Sequence, residues 1–420
     1  WHTMIVGSPG GGGRGVYALD VTDPSTFSEA NAASIVKWEY TDSDLGYVYG
    51  QPSVVKLNSG SSSQWAAVFS NGYNSTTGVA ALYIVNIQTG ALIKKISTGV
   101  GSPGTPNALA TPTLVDEDAN GTVDIAYVGD LQGNMWKFDL CNRNSSTQLC
   151  ANNSSGWNAT KLFVAQDGSG NAQSITSAVE VSRHFSGDGY QLYFGTGKYL
   201  ETGDISTTGT QSFYSLWDRT SSLFSVSYRG DLQQQTVSTT TTVSGTTYRN
   251  TVNWDCAFPG SPIPSSCGQS TQKRGWYIDL PATGERVVSD PALYSGRILF
   301  TTMIPNAAAC SNGGTGWLME LDATSGAALG GATFDVDGDG VVDANDNLGV
   351  TGSFPSGVAK TSIPSAVRMQ KNPGGAGGSG LMNKWTSMSQ KNAATGASLE
   401  NVLNSLPPIL NRASWRQLFQ

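Results

Sequence analysis

Charge is what this chain has least of: Asp, Glu, Lys and Arg make up 13% of its 420 residues. So few charges cannot furnish the Glu- and Lys-rich outer faces of surface helices, which argues against a helical protein. The charge present leans negative, with 31 acids against 24 bases for a net −7. Lys and Arg nowhere cluster, so there is no basic footprint for phosphate, and nucleic acid is excluded as a partner. No run of about 18 apolar residues is available to span a bilayer, and no charged-then-apolar leader opens the sequence. Any targeting segment is therefore expected outside it, and the chain reads as an excised part of a longer protein. Histidine occurs only as His2 and His184, neither beside a recognisable nucleophile, which leaves triad and zinc-hydrolase chemistry without parts. The run Gly10–Gly13 is followed by Arg14-Gly15 rather than Gly-Lys-Ser/Thr, so it is a turn and not a phosphate loop.

Glycine, by contrast, is abundant at 51 residues, and Ser, Thr and Asn fill the stretches between short apolar runs. That composition predicts many short strands joined by turns, an all-β chain. One unit recurs, an aromatic-centred strand ending in an acid or amide and often followed by a Thr-Gly or Ser-Gly turn. Its copies are Val16-Tyr17-Ala18-Leu19-Asp20, Leu82-Tyr83-Ile84-Val85-Asn86, Met135-Trp136-Lys137-Phe138-Asp139, Phe213-Tyr214-Ser215-Leu216-Trp217-Asp218, Trp276-Tyr277-Ile278-Asp279 and Trp317-Leu318-Met319-Glu320-Leu321-Asp322. Their separation of roughly 40 to 80 residues fits four-stranded propeller blades with unequal insertions. A second phrase sets a proline at the start of an apolar strand, at Pro52, Pro112 and Pro291, where a missing N–H is tolerated. The expected architecture is a modified seven-bladed β-propeller over residues 1–363. A mostly irregular tail follows over 364–420, with a Gly-rich stretch and a short helix capped by Ser398, placing Leu399, Val402, Leu403 and Leu406 on one face that packs on the propeller. Residues 233–252 read as a polar hairpin turning at Ser244-Gly245 and protruding from the core.

Two acidic loops carry specific chemistry. Asp335, Asp337, Asp339, Gly340, Val341, Asp343 and Asp346 fall on the positions of a twelve-residue calcium loop: side chains at 1, 3 and 5, glycine for the turn at 6, a carbonyl at 7, and acids at 9 and 12. Carboxylates at this density repel one another unless a hard cation sits between them; an acidic, solvated turn is the plainer alternative. Asp116, Asp118, Asn120, Thr122 (through its carbonyl) and Asp124 form a compact version that ends at position 9, with an Asx-rich turn as its alternative. The cofactor expected is calcium, at one or two sites.

Cys141 and Cys150 flank one polar loop, Cys256 and Cys267 another, and Cys310 is left over. Each pair is spaced to close a short loop as a disulfide, which points to an exported protein, while sulfur–metal sites would need a CxxC spacing that is absent. Arg229-Gly230-Asp231 spells an integrin-recognition tripeptide, although Tyr228 and Leu232 around it suggest a strand entering a hairpin.

Several phrases together resemble a known family. They are Gly15-Val16-Tyr17-Ala18-Leu19-Asp20, Gly50-Gln51-Pro52, Ser70-Asn71-Gly72-Tyr73, Gly129-Asp130-Leu131-Gln132-Gly133-Asn134-Met135-Trp136, Phe194-Gly195-Thr196-Gly197-Lys198-Tyr199, Gly275-Trp276-Tyr277-Ile278-Asp279-Leu280 and Ser414-Trp415-Arg416. In this order they are similar to the C-terminal propeller domain of the PilC/PilY family of type IV pilus tip-associated biogenesis factors and adhesins. The resemblance implies a non-enzymatic, calcium-binding propeller at the pilus tip and outer surface, opposing retraction and contributing to adhesion and twitching motility. It implies pilus machinery and minor pilins as partners, and a host receptor. It assigns the Asp116 loop as the family's calcium site and leaves the Asp335 loop as an addition. Quinone-dependent dehydrogenases share such repeats, but they typically carry adjacent cysteines beside the cofactor and none occur here; a ligand-binding propeller unconnected with pili is the other alternative.

Overall fold

The structure, a computed structural model, describes residues 1–58, 63–142, 150, 154–219, 228–251, 273–308, 313–349, 353–371, 382–388 and 397–402. Among these the strands form six sheets, nearly all of whose pairings are antiparallel between neighbours in the chain. They fall into two compact units, one over Trp1–Phe163 with Ser174–Val179, the other over Val164–Gln173 and from Glu180 onward.

The first unit holds three sheets. Met4–Gly7, Val16–Asp20 and Val36–Tyr40 make the first; Ser53–Asn58, Ser63–Ser70, Val79–Asn86 and Leu92–Gly101 make the second; Thr113–Val115, Ile125–Gly129, Asn134–Asp139 and Asn158–Val164 make the third. The inner strands read as continuous apolar runs because both faces are covered: Val68, Phe69, Leu82, Tyr83 and Ile84 have no solvent exposure. In the second unit, Glu180–Arg183, Tyr190–Gly195, Ser212–Asp218 and Gly275–Asp279 form the fourth sheet, joined by Gln233–Gln235 in parallel. The fifth runs Ala292–Tyr294, Arg297–Pro305, Gly314–Asp322, Gly357–Lys360, Thr246–Thr251, Val237–Val243.

The recurring strand ends explain themselves. The terminal acid or amide caps the turn that follows: Asn86 Oδ1 accepts the Gln88 and Thr89 amides at 2.9 and 3.1 Å. Asp139 Oδ1 accepts those of Cys141 and Asn142, and Asp322 Oδ1 those of Thr324 and Ser325. In two of these turns an indole closes over the glycine. Trp38 Nε1 donates to Ile87 O at 2.7 Å and Trp276 Nε1 to Ala323 O at 3.1 Å. Each accepting carbonyl is one residue past the capping group, and Gly90 and Gly326, four past it, have φ of +68° and +71°. A Cβ at either would stand 2.7 Å from Trp38 Cγ or 2.3 Å from Trp276 Cδ2. Glycine is thus required twice over, by conformation and by contact.

Three expectations change. The Tyr214 and Trp276 copies of the repeat lie side by side in one sheet, Tyr214 opposite Tyr277, so copies do not count sheets one for one. The 233–252 hairpin does turn at Ser244-Gly245, but its second strand pairs Tyr248 with Val358 and continues the fifth sheet instead of protruding. In the tail, Arg368–Lys371, Met382–Ser387 and Ala397–Val402 form a three-stranded antiparallel sheet. The Ser398 helix is therefore a strand as far as Val402: an isolated helix of two turns is marginal, and pairing with Met382–Ser387 overrides its local signal. Leu403 and Leu406, the Gly-rich stretch, Ser414-Trp415-Arg416, and Cys256, Cys267 and Cys310 lie outside the described residues.

Trp38→Ala and Trp276→Ala are each expected to cost about 3–5 kcal/mol of stability, measured by urea denaturation, whereas Phe27→Ala, at a half-exposed site, leaves it within about 0.5 kcal/mol.

Candidate metal sites

The two acidic loops are built alike. The first links Thr113–Val115 to Ile125–Gly129; the second follows the buried Phe334 and leads to Gly357–Lys360. In each, the carboxylate at position 1 accepts the amide of the position-6 glycine: Asp116 from Gly121 at 2.7 Å, Asp335 from Gly340 at 2.9 Å. In each, the closing acid is buried and accepts the amide of the second loop residue: Asp124 from Glu117 at 2.8 Å, Asp346 from Val336 at 2.5 Å. Gly121 and Gly340 have φ of +86° and +84°, and Ala119 takes +59°. These bonds fold each loop around a common centre.

Asp116, Asp118 and Asp124 bring carboxylate oxygens within 4.8 Å of one another, and so do Asp335, Asp337 and Asp346. Asp339 and Asp343 are not in that group; Asp339 Oδ1 accepts the Val341 amide and Asp343 Oδ1 that of Asn345. Asn120 Oδ1 accepts from the Thr122 amide and hydroxyl. The crowding shows in the acidities. Burial, with the charge of Asp118, pushes Asp116 above the usual carboxylate range against the pull of the Gly121 and Asn120 amides. Asp337 is also raised: the Asp339 amide lowers it, but burial and the charges of Asp339, Asp346 and Asp335 outweigh that bond. A divalent cation reverses both penalties, and these hard oxygen donors suit calcium. Cys141 and Cys150 are joined in a disulfide, with Cys150 Sγ 2.9 Å from Asp124 Oδ1; its sulfurs offer no thiolate to a metal.

The integrin tripeptide is not presented as a pair. Arg229–Asp231 is a 3-10 turn in which Asp231 accepts the Tyr228 amide. Arg229 turns inward, paired with Asp279, donating to Gln166 O at 2.9 Å and lying 4.0 Å over the Tyr277 ring. Packing on Tyr277 claims the guanidinium that an integrin would need.

The Gly129–Trp136 phrase owes its makeup to one residue. Asp130, fully buried, accepts from the Asn134 and Gln132 amides, from Asn107 and Asn134 side chains, and from Trp136 Nε1 at 2.7 Å. Two buried ion networks went unforeseen. Arg249 grips Glu285 through two bonds of 2.7 and 2.8 Å. Glu320 receives Arg297 and Lys384, the latter also donating to Thr333 O at 2.6 Å just before the second loop. Nothing in the local sequence pairs residues so far apart.

Asp130→Ala would leave several buried donors unpaired and is expected to cost more than about 3 kcal/mol in thermal denaturation. His184 stacks on Trp217 at 3.9 Å, and burial lowers it from 6.5 to about 4. Because the unfolded state takes up the proton first, its contribution is complete above pH 6.5 and is lost as the pH falls towards 4. His184→Gln should flatten the stability profile across that window.

The PilY1 beta-propeller domain model matches residues 1–249. A type IV pilus biogenesis factor PilY1 homolog of Xylella fastidiosa is 37% identical over 348 residues, 79% of this chain and 22% of the relative. PilY1 of Pseudomonas aeruginosa strain PAO1 is 33% identical over 413 residues, 89% of this chain and 34% of the relative. The crystal structure of the P. aeruginosa PilY1 C-terminal domain superposes with a TM-score of 0.76 at 30% identity, covering 97% of this chain and 81% of that one. The chain thus spans only a fifth to a third of these curated relatives' length. With a family model matched over more than half of its residues, the chain belongs to the PilY1 β-propeller family of type IV pilus biogenesis factors.

Proposed function

We propose that this chain is the calcium-binding, non-enzymatic propeller domain of a pilus-tip protein that supports type IV pilus assembly by opposing retraction, and that it contributes to adhesion and twitching motility. The observation that carries the reading is the pair of matched loops, each gathering three carboxylates around a centre closed by a buried aspartate. Calcium favours such sites over magnesium because it accepts more oxygen ligands in a flexible shell. Asp116, Asp118, Asn120, Thr122 and Asp124 would hold one ion, and Asp335, Asp337, Asp339, Val341, Asp343 and Asp346 the other. The loops, not the sheets, are the parts whose shape an ion would alter, which makes them the natural place for calcium to act on a partner.

Export to the cell surface, by way of the periplasm, is supported by the Cys141–Cys150 disulfide and by the surface machinery to which the named relatives belong. No helix among the described residues is long and apolar enough to cross a membrane. Pilus machinery and minor pilins are the partners this reading calls for, with a host receptor for adhesion. Seven blades remain the architecture we favour.

Calorimetric titration should find two calcium ions per wild-type chain, one in Asp118→Ala and one in Asp337→Ala, with affinity falling below about pH 5 as carboxylates protonate. In cells relying on the full-length protein, Asp118→Ala in the Asp116 loop should reduce surface pili, and removing the retraction motor should restore them. Unchanged binding in both variants contradicts the metal reading; normal piliation in cells lacking the protein contradicts the pilus reading.

A further inference from the structure

The Cys141–Cys150 disulfide lies against the acid that closes the first metal loop. Asp124 is buried and its main chain is fixed: its N–H donates to Val115 O at 2.9 Å, and its carbonyl accepts the Leu140 amide at 2.8 Å. The next residue is Cys141, whose own amide donates to Asp139 Oδ1 at 2.9 Å. The disulfide therefore starts from a segment bonded to Asp124 and returns to the same residue, with Cys150 Sγ 2.9 Å from Asp124 Oδ1. A disulfide sulfur has no proton to donate, so this is a packing contact and not a hydrogen bond. Asp124 Oδ2 accepts the Glu117 amide at 2.8 Å. One carboxylate oxygen is thus braced from inside the loop and the other from outside it.

The second loop fixes its closing acid from within. Asp346 accepts the amides of Val336, Asp337 and Asp343 at 2.5, 3.3 and 2.8 Å, all three belonging to the loop's own twelve residues. The first loop closes three positions sooner, at Asp124, and a neighbouring covalent link stands against the acid there.

Resting on the reading of the Asp116 loop as a calcium site, we infer that the Cys141–Cys150 disulfide positions Asp124 for the ion, so that calcium affinity at this loop depends on the oxidised pair while affinity at the Asp335 loop does not. Groups that orient a metal ligand without touching the metal typically change affinity by about 10- to 100-fold when removed. Cys141 is buried and Cys150 partly exposed, so Cys150 Sγ is the sulfur within reach of a reductant. A dithiol's thiolate attacks it, breaking the S–S bond and releasing the Cys141 sulfur. The second thiol of the reductant then attacks the mixed disulfide and releases Cys150. Two electrons and two protons pass to the cysteines, and the dithiol leaves as a cyclic disulfide. Cys150, no longer tethered to Cys141, ceases to hold Asp124. The coupling is reciprocal: an ion that binds the oxidised form more tightly makes the disulfide harder to reduce by the same factor. Calcium loading of this loop is thereby tied to an oxidising compartment.

A redox titration of the full-length protein tests this. The protein is equilibrated with mixtures of reduced and oxidised dithiothreitol, with and without calcium, and its free thiols are alkylated. Reading the peptides that hold Cys141 and Cys150 by mass separates this pair from Cys256, Cys267 and Cys310. Saturating calcium should raise the reduced-to-oxidised ratio needed for half reduction by about 10- to 100-fold. Asp118→Ala should abolish that protection, and Asp337→Ala should leave it intact. In the double variant Cys141→Ala, Cys150→Ala, calorimetry should find calcium held more weakly at the Asp116 loop by the same factor and unchanged at the Asp335 loop; should that variant misfold, the redox titration decides alone. Calcium bound at the Asp116 loop with no change in the reduction ratio would overturn the inference and leave the calcium reading standing, whereas no calcium at that loop would overturn both. Protection that survives Asp118→Ala would also contradict the inference, because its source would then lie elsewhere.

Discussion

Everything the structure presents rests on how a strand end is fastened. A carboxylate or amide at the end of the recurring strand caps the next turn through its own backbone amides, and where an indole closes over that turn, as with Trp38 and Trp276, a glycine must lie beneath it. The bond and the stacking are individually modest, but they come together at one point and tolerate no Cβ there. This is why so short a phrase recurs in a chain whose loops otherwise vary freely: loop length is cheap in free energy, whereas an unpaired buried indole N–H or a displaced glycine is not.

On that fixed frame, charge is concentrated where it is least comfortable. A protein with few ionised residues places two clusters of aspartates in tight turns and buries the closing member of each. Amide donors take up part of the negative charge, yet Asp116 and Asp337 still sit above the usual carboxylate range. Bonds from the loops' own amides to these aspartates shape the turns, while the buried Val123 of the first loop and Val336 and Val342 of the second anchor them to the core. Elsewhere the acids are neutralised within the protein: Glu285 by Arg249, Glu320 by Arg297 and Lys384. The contrast separates acids that hold the fold together from those available to a cation.

Much of this was legible in the sequence, and the exceptions share a cause. The strand-forming runs and the turn glycines at Gly121 and Gly340 are local patterns, and there the sequence and the structure agree. Asp339 and Asp343 looked equivalent to Asp337 by spacing, but the turn directs Asp339 to the Val341 amide and Asp343 to that of Asn345. The engagement of Arg229 could not be read locally, because no letter nearby announces Asp279, fifty residues on, as its partner. The Ser398 stretch looked helical because a strand partner cannot be seen from one strand alone. What spacing cannot supply is pairing across distance, and the buried ion networks fall under the same rule.

The central claim is that both loops are cation sites on one propeller of a pilus biogenesis factor. Crystals of the domain grown with calcium, examined for anomalous scattering, test it most directly. The account predicts one peak among Asp116, Asp118 and Asp124 and another among Asp335, Asp337 and Asp346. Ordered loops of the shape described here with no anomalous peak in either would contradict it.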